Sequence, residues 1–535
     1  MSTILINAAG GDASDLFDAA QAEARALPGD DTIVVAGGTY ELSRPLELNS
    51  EDSGTTFVTD GSEVVLDGGG ARISLVTMSG AENVSLSGFT FVNTSGAGTD
   101  DFDSVPAAIQ LEDSANVTLD DNTFREVALG VRMDGDTNHV TVSASSFTDT
   151  EAGAVFINEG TSQNTVTGNT ILRSGARYTE GGSIDLFETW GNTVSHNSIK
   201  DVPRHGIEEQ NWNPANKSGG NTIEFNHITN YMQRTEDGGA IYLFAGDDPF
   251  TPVDSTVRFN RIDGTADPFS WGIYMDDLIN GSEIVGNVID GGGVANIMVH
   301  GGDRNEVAYN VLLNGGQYGI TVQTGLVDPG PIRFDNIHNN IVAPGDGVWG
   351  ASDAAPQQWH DNIYVGTEGL FGWDFEPFEV WQAAGGDKGT TVIDELPDGP
   401  GGPILPPDFP ELPNLPPDWN PIEPPDGGEV SPGELVLQMS AEYADAAPEF
   451  MVSVDGEEVG SGDVTARRVG DANQSFTFEG EWSAGVHEVS VAFLNDTETR
   501  NLWVEDVYFN GDRAGPATDV DVGERAGDVF KIAVG

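Results

Sequence analysis

Two short segments carry the residue types of a hydrolytic site. TEDGGAIY spans Thr235–Tyr242 and WGIYMDD spans Trp271–Asp277, and each joins glycine, an aromatic ring and carboxylic acids. Cleavage of a glycosidic bond normally needs two carboxyl groups, one acting as an acid and the other as a nucleophile or base. The two segments therefore offer candidate acids for such a pair, among them Asp237 and Asp276.

The positions of these two acids along their segments raise a geometric problem. Asp237 precedes its predicted strand, whereas Asp276 ends the neighbouring one. Straight segments would hold the two carboxyl groups too far apart to act together. Glycine adopts positive φ without steric cost, so Gly238–Gly239 could fold the loop back over the face. Otherwise Asp185 and Glu208, stacked in one outward column on consecutive coils, are the better-spaced catalytic pair.

Aromatic rings and further acids gather on the same predicted face. Aromatic rings pack against the apolar faces of sugars, and an exposed cluster of rings and carboxylates is costly in water unless it binds something. His300 stands beside Asp276 in the alignment, where it could tune the pKa of that acid or bind substrate. The predicted substrate-binding residues are Tyr242, Tyr274, Trp271, Trp212, His300, His205 and Asp277.

A repeated phrase indicates the elements that position these residues. Its copies start 23–34 residues apart, about the length of one coil of a parallel β-helix. Each copy alternates apolar and polar residues around an Asn, which tolerates left-handed backbone angles and hydrogen-bonds its stacked copies. We therefore interpret these asparagines as structural. The copies are NTVTGNTI, NTVSHNSI, NTIEFNHI, STVRFNRI, SEIVGNVI and NEVAYNVL.

A second strand follows in every coil and places a column of isoleucine and valine side chains inward. Glu209 falls on an inward column, for which we expect a bulge rather than a buried carboxylate. The predicted fold class is all-β: a right-handed parallel β-helix with an N-terminal capping helix at 12–27, plus a small antiparallel β-sandwich. A second short helix is expected at 375–384.

Composition changes along the chain divide it into four regions. The parallel β-helix domain, predicted to be catalytic, takes residues 1–395, and a linker rich in Pro, Gly and Asp takes 396–432. Alternating strands at 433–511 predict a β-sandwich carbohydrate-binding module. Residues 512–535 are expected to be a loosely ordered acidic tail.

The charge balance excludes several partners. The chain has 535 residues, 87 acidic against 22 basic ones, a net charge of −65 and no cysteine. Nucleic acids require clustered cations, and a membrane span requires a long apolar run, so neither is an expected partner. Such acidity suits a saline or marine habitat. We expect a secreted monomer with a polysaccharide substrate, although no signal peptide is visible in the sequence.

The runs GGTYELSRPLEL, DVPRHGI, TEDGGAIY, WGIYMDD and NVIDGGGVANIMVHGGDRNEVAYN resemble glycoside hydrolase family 141 over roughly residues 30 to 395. The resemblance implies α-L-fucosidase or xylanase activity, with Asp237 and Asp276 as catalytic acids and no cofactor for catalysis. The chain departs from the family pattern after Tyr242, where LFAGDDP stands. From the activities of that family, the expected substrate is a plant or algal polysaccharide, either a neutral hemicellulose such as xylan or a fucosylated glycan.

The C-terminal run FTFEGEWSAGVHEVSVAFLNDTETRNLWVEDVYFNG resembles calcium-dependent xylan-binding modules of carbohydrate-binding module families 36 and 60. In those modules a calcium ion in the loop between the last two strands bonds sugar hydroxyls. The resemblance implies Asp496 as a ligand, with Glu498 and Asn501 as companions.

Two other functions fit the same scaffold. A polysaccharide lyase or epimerase needs cations beside a uronate, and the outward columns hold a single Arg and no Lys, which disfavours it. A non-catalytic glycan-binding adhesin is the other alternative, because a fold alone does not determine function.

Overall fold

The chain folds into two compact units, Met1–Trp419 and Asn420–Gly535. The computed structural model describes residues 3–323 apart from 8–11, 28, 30, 100–101, 214–215, 247–252, 278, 303 and 317. In the rest of the first unit it describes 336–343, 359–365 and 389–393, together with the residue pairs 370–371, 376–377, 398–399 and 402–403. In the second unit it describes the strands between 431 and 534 with a few adjoining residues. The division between the units falls inside the segment predicted as a linker.

The first unit is a parallel β-helix, as the sequence predicts. Between Thr32 and Gln323, each coil adds one strand to each of three parallel sheets, here called A, B and C in chain order. Equivalent residues of successive coils are in register, as in Val142, Val166 and Val194 of sheet A. The repeated phrase is thus two strands rather than one, because the chain bends just before its Asn.

The strands of sheet A are Thr3–Ile6, Thr32–Val35, Thr56–Thr59, Ser85–Ser87, Thr118–Asp120, Thr141–Ser143, Thr165–Thr167, Thr193–Ser195, Thr222–Glu224, Thr256–Arg258, Glu283–Val285, Glu306–Ala308, Asn336–His338 and Trp359–His360. The strands of sheet B are Gly38–Glu41, Val64–Ala71, Phe89–Thr94, Thr123–Arg125, Ser146–Thr148, Thr170–Leu172, Ser198–Lys200, His227–Tyr231, Arg261–Thr265, Val288–Asp290, Val311–Leu313, Ile341–Ala343, Ile363–Val365 and Thr391–Ile393. The strands of sheet C are Leu46–Asn49, Val76–Ser79, Ala107–Glu112, Leu129–Asp134, Val155–Ile157, Ile184–Phe187, Ile207–Asn211, Gly239–Ala245, Trp271–Asp276, Ala295–His300 and Tyr318–Gln323.

The bend between sheets A and B is stabilised by a ladder of buried asparagines. The amide oxygen of Asn226 accepts from the backbone N–H of Asn197 at 3.0 Å, and the same bond recurs between Asn226 and Asn260 at 2.9 Å. The residue before each Asn takes a left-handed conformation, with φ of 53° at Phe225 and 55° at Phe259. Buried polar groups that are fully paired stabilise a single arrangement. These asparagines are therefore structural.

An α-helix, Ser14–Arg25, covers the N-terminal end of the solenoid, as predicted. Phe17, Ala20 and Ala24 on one helical face join the apolar core, so the helix covers strand edges that water would otherwise reach. Two short 3₁₀ turns follow at Ser50–Asp52 and Phe102–Ser104. Within the predicted second helix, Glu376–Pro377 instead pairs with Leu370–Phe371 as a short strand, and 378–384 lie outside the described residues.

The inward columns of sheet C form the core, with one exception to the predicted pattern. Ile207, Ile241 and Ile273 are fully buried and stacked in register. Glu209 is also fully buried, and it pairs with Leu186 and Leu243 with no shift of register, so the predicted bulge is wrong. Hydrogen bonds from Ser255 (2.9 Å) and Asn211 (3.1 Å) reach one oxygen of the carboxyl group. Burial raises the pKa of Glu209, so its neutral form is favoured.

The second unit consists of two antiparallel sheets that share an apolar cluster, which is the predicted β-sandwich. Leu435 and Leu437 of one sheet and Phe450 and Val491 of the other are buried in that cluster. Its longer strands are Ser431–Tyr443, Glu449–Val454, Glu457–Asp463, Gln474–Trp482, His487–Phe493, Arg500–Phe509 and Val529–Val534; the two-residue strands are Asp512–Arg513 and Val520–Asp521.

The predicted boundary at 511 and the loose tail after it are wrong. Val529–Val534 pairs antiparallel with His487–Phe493 and completes one sheet of the sandwich. The sequence VFKIAV alternates apolar and polar residues only briefly, and the surrounding acidic, glycine-containing composition hides that signal.

The buried Glu209 leads to a prediction about stability. The pKa of Glu209 is higher in the folded state than in the unfolded state, so its contribution to the free energy of unfolding is complete below the unfolded pKa. That contribution is lost as the pH rises, by about 1.4 kcal/mol per pH unit, until the folded pKa is passed. Glu209→Gln stays neutral at every pH and should show a flatter stability profile. Urea unfolding of both proteins from about pH 4 to about pH 8 measures this. Parallel profiles would show that Glu209 does not titrate on unfolding.

Candidate active site on sheet C

The outward side chains of sheet C form two columns that the register aligns. One column reads Asp185, Glu208, Tyr242 and Tyr274, and the other includes Gln210, Phe244 and Asp276. Neighbouring strands lie about 4.8 Å apart, so each step along a column is a fixed distance. The acids and rings predicted from sequence therefore do share one face.

Asp276, at the end of its strand, is the centre of a hydrogen-bonded group. Tyr242 donates its hydroxyl to one carboxylate oxygen at 2.7 Å, and Nδ1 of His300 donates to the other at 2.7 Å. Tyr274 also hydrogen-bonds this carboxylate. Burial raises the pKa of Asp276, but the bonds from His300 and Tyr242 outweigh it, and the pKa is lowered overall. Asp276 is therefore a stable carboxylate.

His300 is the positive partner in this group. Burial lowers its pKa, but the hydrogen bond to Asp276 and the charges of Asp276, Asp277 and Asp237 outweigh that effect and raise it. The nearest oxygen of Asp277 lies 3.6 Å from Nδ1. Possible ligand atoms of Asp276, Asp277 and His300 all lie within 4.8 Å of one another. The ion pair between His300 and Asp276 accounts for this closeness.

Asp237 lies in the loop before the strand Gly239–Ala245. Its φ of 60° is left-handed, and its backbone N–H donates to the carbonyl of Phe269 at 2.9 Å, which ties the loop to the next coil. The side chain is exposed. Reduced hydration and then the negative charge of Asp276 raise the pKa of Asp237, while His300 and Arg204 oppose the rise. Asp237 therefore lies near enough to Asp276 to feel its charge, as the folding back of the loop requires.

His205 supports that loop from below. Its ring is 1% exposed, stacks on Tyr242 at 4.5 Å and donates from Nδ1 to the carbonyl of Gly239 at 2.9 Å. Its Nε2 accepts from Arg204 at 2.8 Å. Burial and then the charge of Arg204 lower the pKa of His205 to about 3, so the ring is neutral. The ring of His205, predicted to bind substrate, is thus enclosed beneath the loop and does not face solvent.

Gly238 explains why glycine stands in this loop. A Cβ at Gly238 would lie 2.4 Å from Cε1 of His205 and would collide with the buried ring. The close packing of backbone on imidazole is therefore possible only without a side chain. His205 and Gly238 together fix the backbone that carries Asp237.

The alternative acids, Asp185 and Glu208, are covered by the protein. They are 4% and 2% exposed, and the backbone N–H of Gly182 donates to Asp185 at 2.7 Å. Gln210 donates to Glu208, and burial raises the pKa of Glu208 despite the opposing charge of Arg204. Both carboxyl groups are therefore enclosed, whereas Asp237 is exposed. The sequence pattern placed them correctly in one column but could not show the loop above them.

The aromatic residues divide into exposed rings and a buried floor. Trp212 is 55% exposed, packs on Phe244 at 4.3 Å and donates its N–H to Gln210 at 2.6 Å. Trp271 and Tyr274 are 5% and 4% exposed and pack together at 4.4 Å. Of the predicted substrate-binding rings, Trp212 is therefore the most open, whereas Trp271 and Tyr274 support the surface.

Two residues of the site were not among the predicted site residues. Phe269 is 50% exposed and packs edge-on against Trp271 at 5.3 Å. Its position two residues before Trp271, within PFSW, was the available signal. Arg204 acts electrostatically on Asp237 and Glu208. The sequence shows that it precedes His205 but does not show that its charge reaches these two acids.

The predicted calcium ligands are only partly described. Asp496 and Glu498 lie outside the described residues. Asn501 lies in the strand Arg500–Phe509, opposite Glu442.

Two family models match this chain. The right handed beta helix region matches residues 74–262, and the calcium-dependent xylan-binding carbohydrate-binding module, CBM60, matches residues 434–521. Comparison with curated proteins gives no match. Among the described residues, no helix is long and apolar enough to cross a membrane.

Several solved structures are similar to parts of this chain. They include the catalytic domain of a GH87 α-1,3-glucanase in complex with nigerose (13% identity, 73% of this chain and 68% of that chain, TM-score 0.44). Also similar is a structure named glycoside hydrolase (11% identity, 72% of this chain and 99% of that chain, TM-score 0.45). Another is PfbA, a surface adhesin of Streptococcus pneumoniae (14% identity, 62% of this chain and 87% of that chain, TM-score 0.44).

The hydrogen bond from Tyr242 to Asp276 leads to a prediction. A charge-assisted hydrogen bond contributes about 1.5–3 kcal/mol, so Tyr242→Phe should raise the pKa of Asp276 by about one to two units. NMR titration of ¹³C-labelled aspartate carboxyls measures the shift. Tyr40→Phe is the control, because its hydroxyl donates to the Ala36 carbonyl away from this site. An unchanged titration of Asp276 in Tyr242→Phe would show that the bond does not stabilise the carboxylate.

Proposed function

We propose that this chain is a glycoside hydrolase in which Asp237 is the general acid and Asp276 is the base or nucleophile. The supporting observation is that two neighbouring carboxyl groups have pKa values shifted in opposite directions, raised at Asp237 and lowered at Asp276. Environments that separate the pKa values of two acids assign one to proton donation and the other to work as a carboxylate. Hydrolysis of a glycosidic bond needs both.

The proposed mechanism follows from the contacts of each acid. Asp237 is exposed on its loop, so a proton from its carboxyl group can reach the oxygen of the leaving sugar. Asp276 is held by Tyr242 and His300 with one bond to each oxygen, which fixes its orientation toward the sugar or toward an attacking water. The positive charge of His300 also offsets repulsion between Asp276 and Asp277.

The exposed rings support a polysaccharide substrate. Trp212 and Phe269 present aromatic surface near the acids, and such surface binds the apolar faces of sugar rings. A neutral polymer is favoured because the chain carries a net charge of −65, which repels polyuronates. We propose xylan as the substrate, consistent with the xylan-binding description of the matched C-terminal module. A fucosylated glycan is the alternative that the family 141 resemblance implies.

We also propose that the C-terminal module binds xylan through calcium. The model that matches residues 434–521 describes a calcium-dependent module. Asp496, Glu498 and Asn501 offer two carboxylates and an amide oxygen, the hard oxygen donors that calcium prefers. These residues would hold the ion, which would bond sugar hydroxyls, while the catalytic acids of the first unit need no metal.

A lyase is less well supported by the side chains of the site. It requires a basic group to remove a proton beside a uronate. His205 is buried and bonded at both ring nitrogens, and Arg204 is bonded to His205. His300 is paired with Asp276. None of these is arranged as a base facing a substrate.

The acids provide the test of the catalytic proposal. General acid–base catalysis contributes about 10²- to 10⁴-fold, so Asp276→Asn and Asp237→Asn should each lower kcat on xylan by about that factor. The loss in Asp237→Asn should be smaller on aryl xylosides whose leaving groups depart without a proton. Release of reducing ends measures turnover of xylan, and release of the aryl alcohol measures turnover of the aryl xylosides.

Asp121→Asn is the matched control, because Asp121 is also exposed and left-handed, with φ of 52°, but lies on the turn between sheets A and B. It should keep full activity. Undiminished activity in Asp276→Asn, or products with a sugar double bond, would refute the hydrolase proposal.

Calcium removal tests the C-terminal module independently. Chelation should weaken adsorption of the full chain to insoluble xylan, and Asp496→Ala should weaken it equally while leaving turnover of short soluble xylo-oligosaccharides unchanged. Binding isotherms before and after re-addition of calcium measure the effect. Adsorption that is insensitive to chelator would contradict a role for calcium.

A further inference from the structure

We propose that sheet C carries a second carbohydrate-binding pocket, nearer the N-terminus, that takes a neutral sugar unit of the polysaccharide. A cavity of about 490 Å³ opens there, within the usual range for small-ligand sites. Its lining comes from two adjacent strands, Ala107–Glu112 and Leu129–Asp134, and from 104–106 and Arg72. Neither the motifs nor the family models assign a role to these residues.

The side wall of the pocket holds a guanidinium group in a fixed orientation. Nε of Arg132 donates to both oxygens of Asp134, at 3.0 and 2.9 Å, and its guanidinium lies 4.9 Å from the ring centroid of Phe156. Asn158 fixes Asp134 in turn with a bond of 2.7 Å. A planar donor that is stacked and paired loses little conformational freedom when it binds a ligand.

The remaining lining residues complement a sugar. Arg72 and Glu112 are exposed, and Gln110 and Ser104 add neutral polar groups, so the lining offers both hydrogen-bond donors and acceptors. A sugar hydroxyl both donates and accepts, which matches such a lining. Pro106, half-buried at the edge, offers apolar surface to the C–H groups of a sugar ring.

The charge of the lining favours a neutral ligand over an anionic one. Two arginines, Arg72 and Arg132, are balanced by two carboxylates, Glu112 and Asp134. An anion drawn to either guanidinium would also lie against a carboxylate, in a chain with a net charge of −65. A neutral sugar meets no such repulsion.

The pocket is separate from the proposed catalytic site. Five strand-to-strand steps lead from Arg132 to Asp276, which is about 24 Å at about 4.8 Å per step. Phe102 packs edge-on against Phe156 at 5.9 Å, and both join Tyr178 in an apolar cluster beside the pocket. The pocket would therefore hold a part of the polymer remote from the cleaved bond. This inference rests on the proposed polysaccharide substrate but not on hydrolysis.

Hydroxyl-radical footprinting of the full chain tests the proposal, because it reports side-chain exposure at both sites at once. The probes are xylohexaose, mannohexaose and hexagalacturonate, added to the Asp276→Asn protein so that no oligosaccharide is consumed. We expect at least one neutral hexasaccharide to protect Pro106 and Arg72. The double variant Arg72→Ala, Glu112→Ala should weaken that protection at least fivefold. Arg125→Ala is the control, because Arg125 is an exposed arginine on a strand of sheet B and does not line the pocket. This variant should leave the protection unchanged.

The outcomes separate this pocket from the catalytic proposal. Protection of Trp212 and Phe269 without protection of Pro106 and Arg72 overturns the pocket and leaves the proposed function intact. Protection by hexagalacturonate alone also overturns it. Protection of the pocket by a neutral hexasaccharide, together with no turnover by the unsubstituted protein, supports the pocket and refutes the hydrolase.

Discussion

The site depends on the fixed register of successive coils. Parallel strands that stack about 4.8 Å apart leave each outward residue a defined neighbour above and below. In this chain the asparagine ladder maintains that register, because each buried amide bonds the backbone of the preceding coil. A slip of one residue would exchange inward and outward side chains along a strand. Tyr242 reaches Asp276, two positions along the next strand, only because this does not happen.

The same regular face gives chemically similar acids different roles. Asp276 and Glu208 both lose hydration, which alone would raise both pKa values. Asp276 receives bonds from His300 and Tyr242 and stays a carboxylate, whereas Glu208 lies beside Asp185 under a loop and its pKa is raised. Local donors therefore decide which acid is charged, and the loops decide which acid meets solvent.

Periodicity in the sequence was enough to predict the β-helix, the sheet C columns and the capping helix, because each depends on apolar spacing that every coil repeats. It failed where one coil differs from the others. Glu209 occupies an apolar column without a bulge because Ser255 and Asn211 bond its carboxyl group. His205 was assigned to substrate from its residue type, but its burial follows from packing against the Gly238 loop. The contacts of Ser255 with Glu209 and of Gly238 with His205 join residues more than 30 positions apart, and no local pattern records them.

The position of Asp237 shows how the regular and irregular parts of the fold combine. The strand pairing places Gly239 opposite Trp271, which begins the strand that ends at Asp276. Gly239 is therefore one coil away from Asp276. The loop before Gly239 then turns through a left-handed residue and binds the Phe269 carbonyl, while neutral His205 supports it from beneath. A charged imidazole there would be strongly disfavoured, because it would be buried beside Arg204. The neutral state of one buried ring is therefore part of what holds an exposed acid near a carboxylate on the next coil.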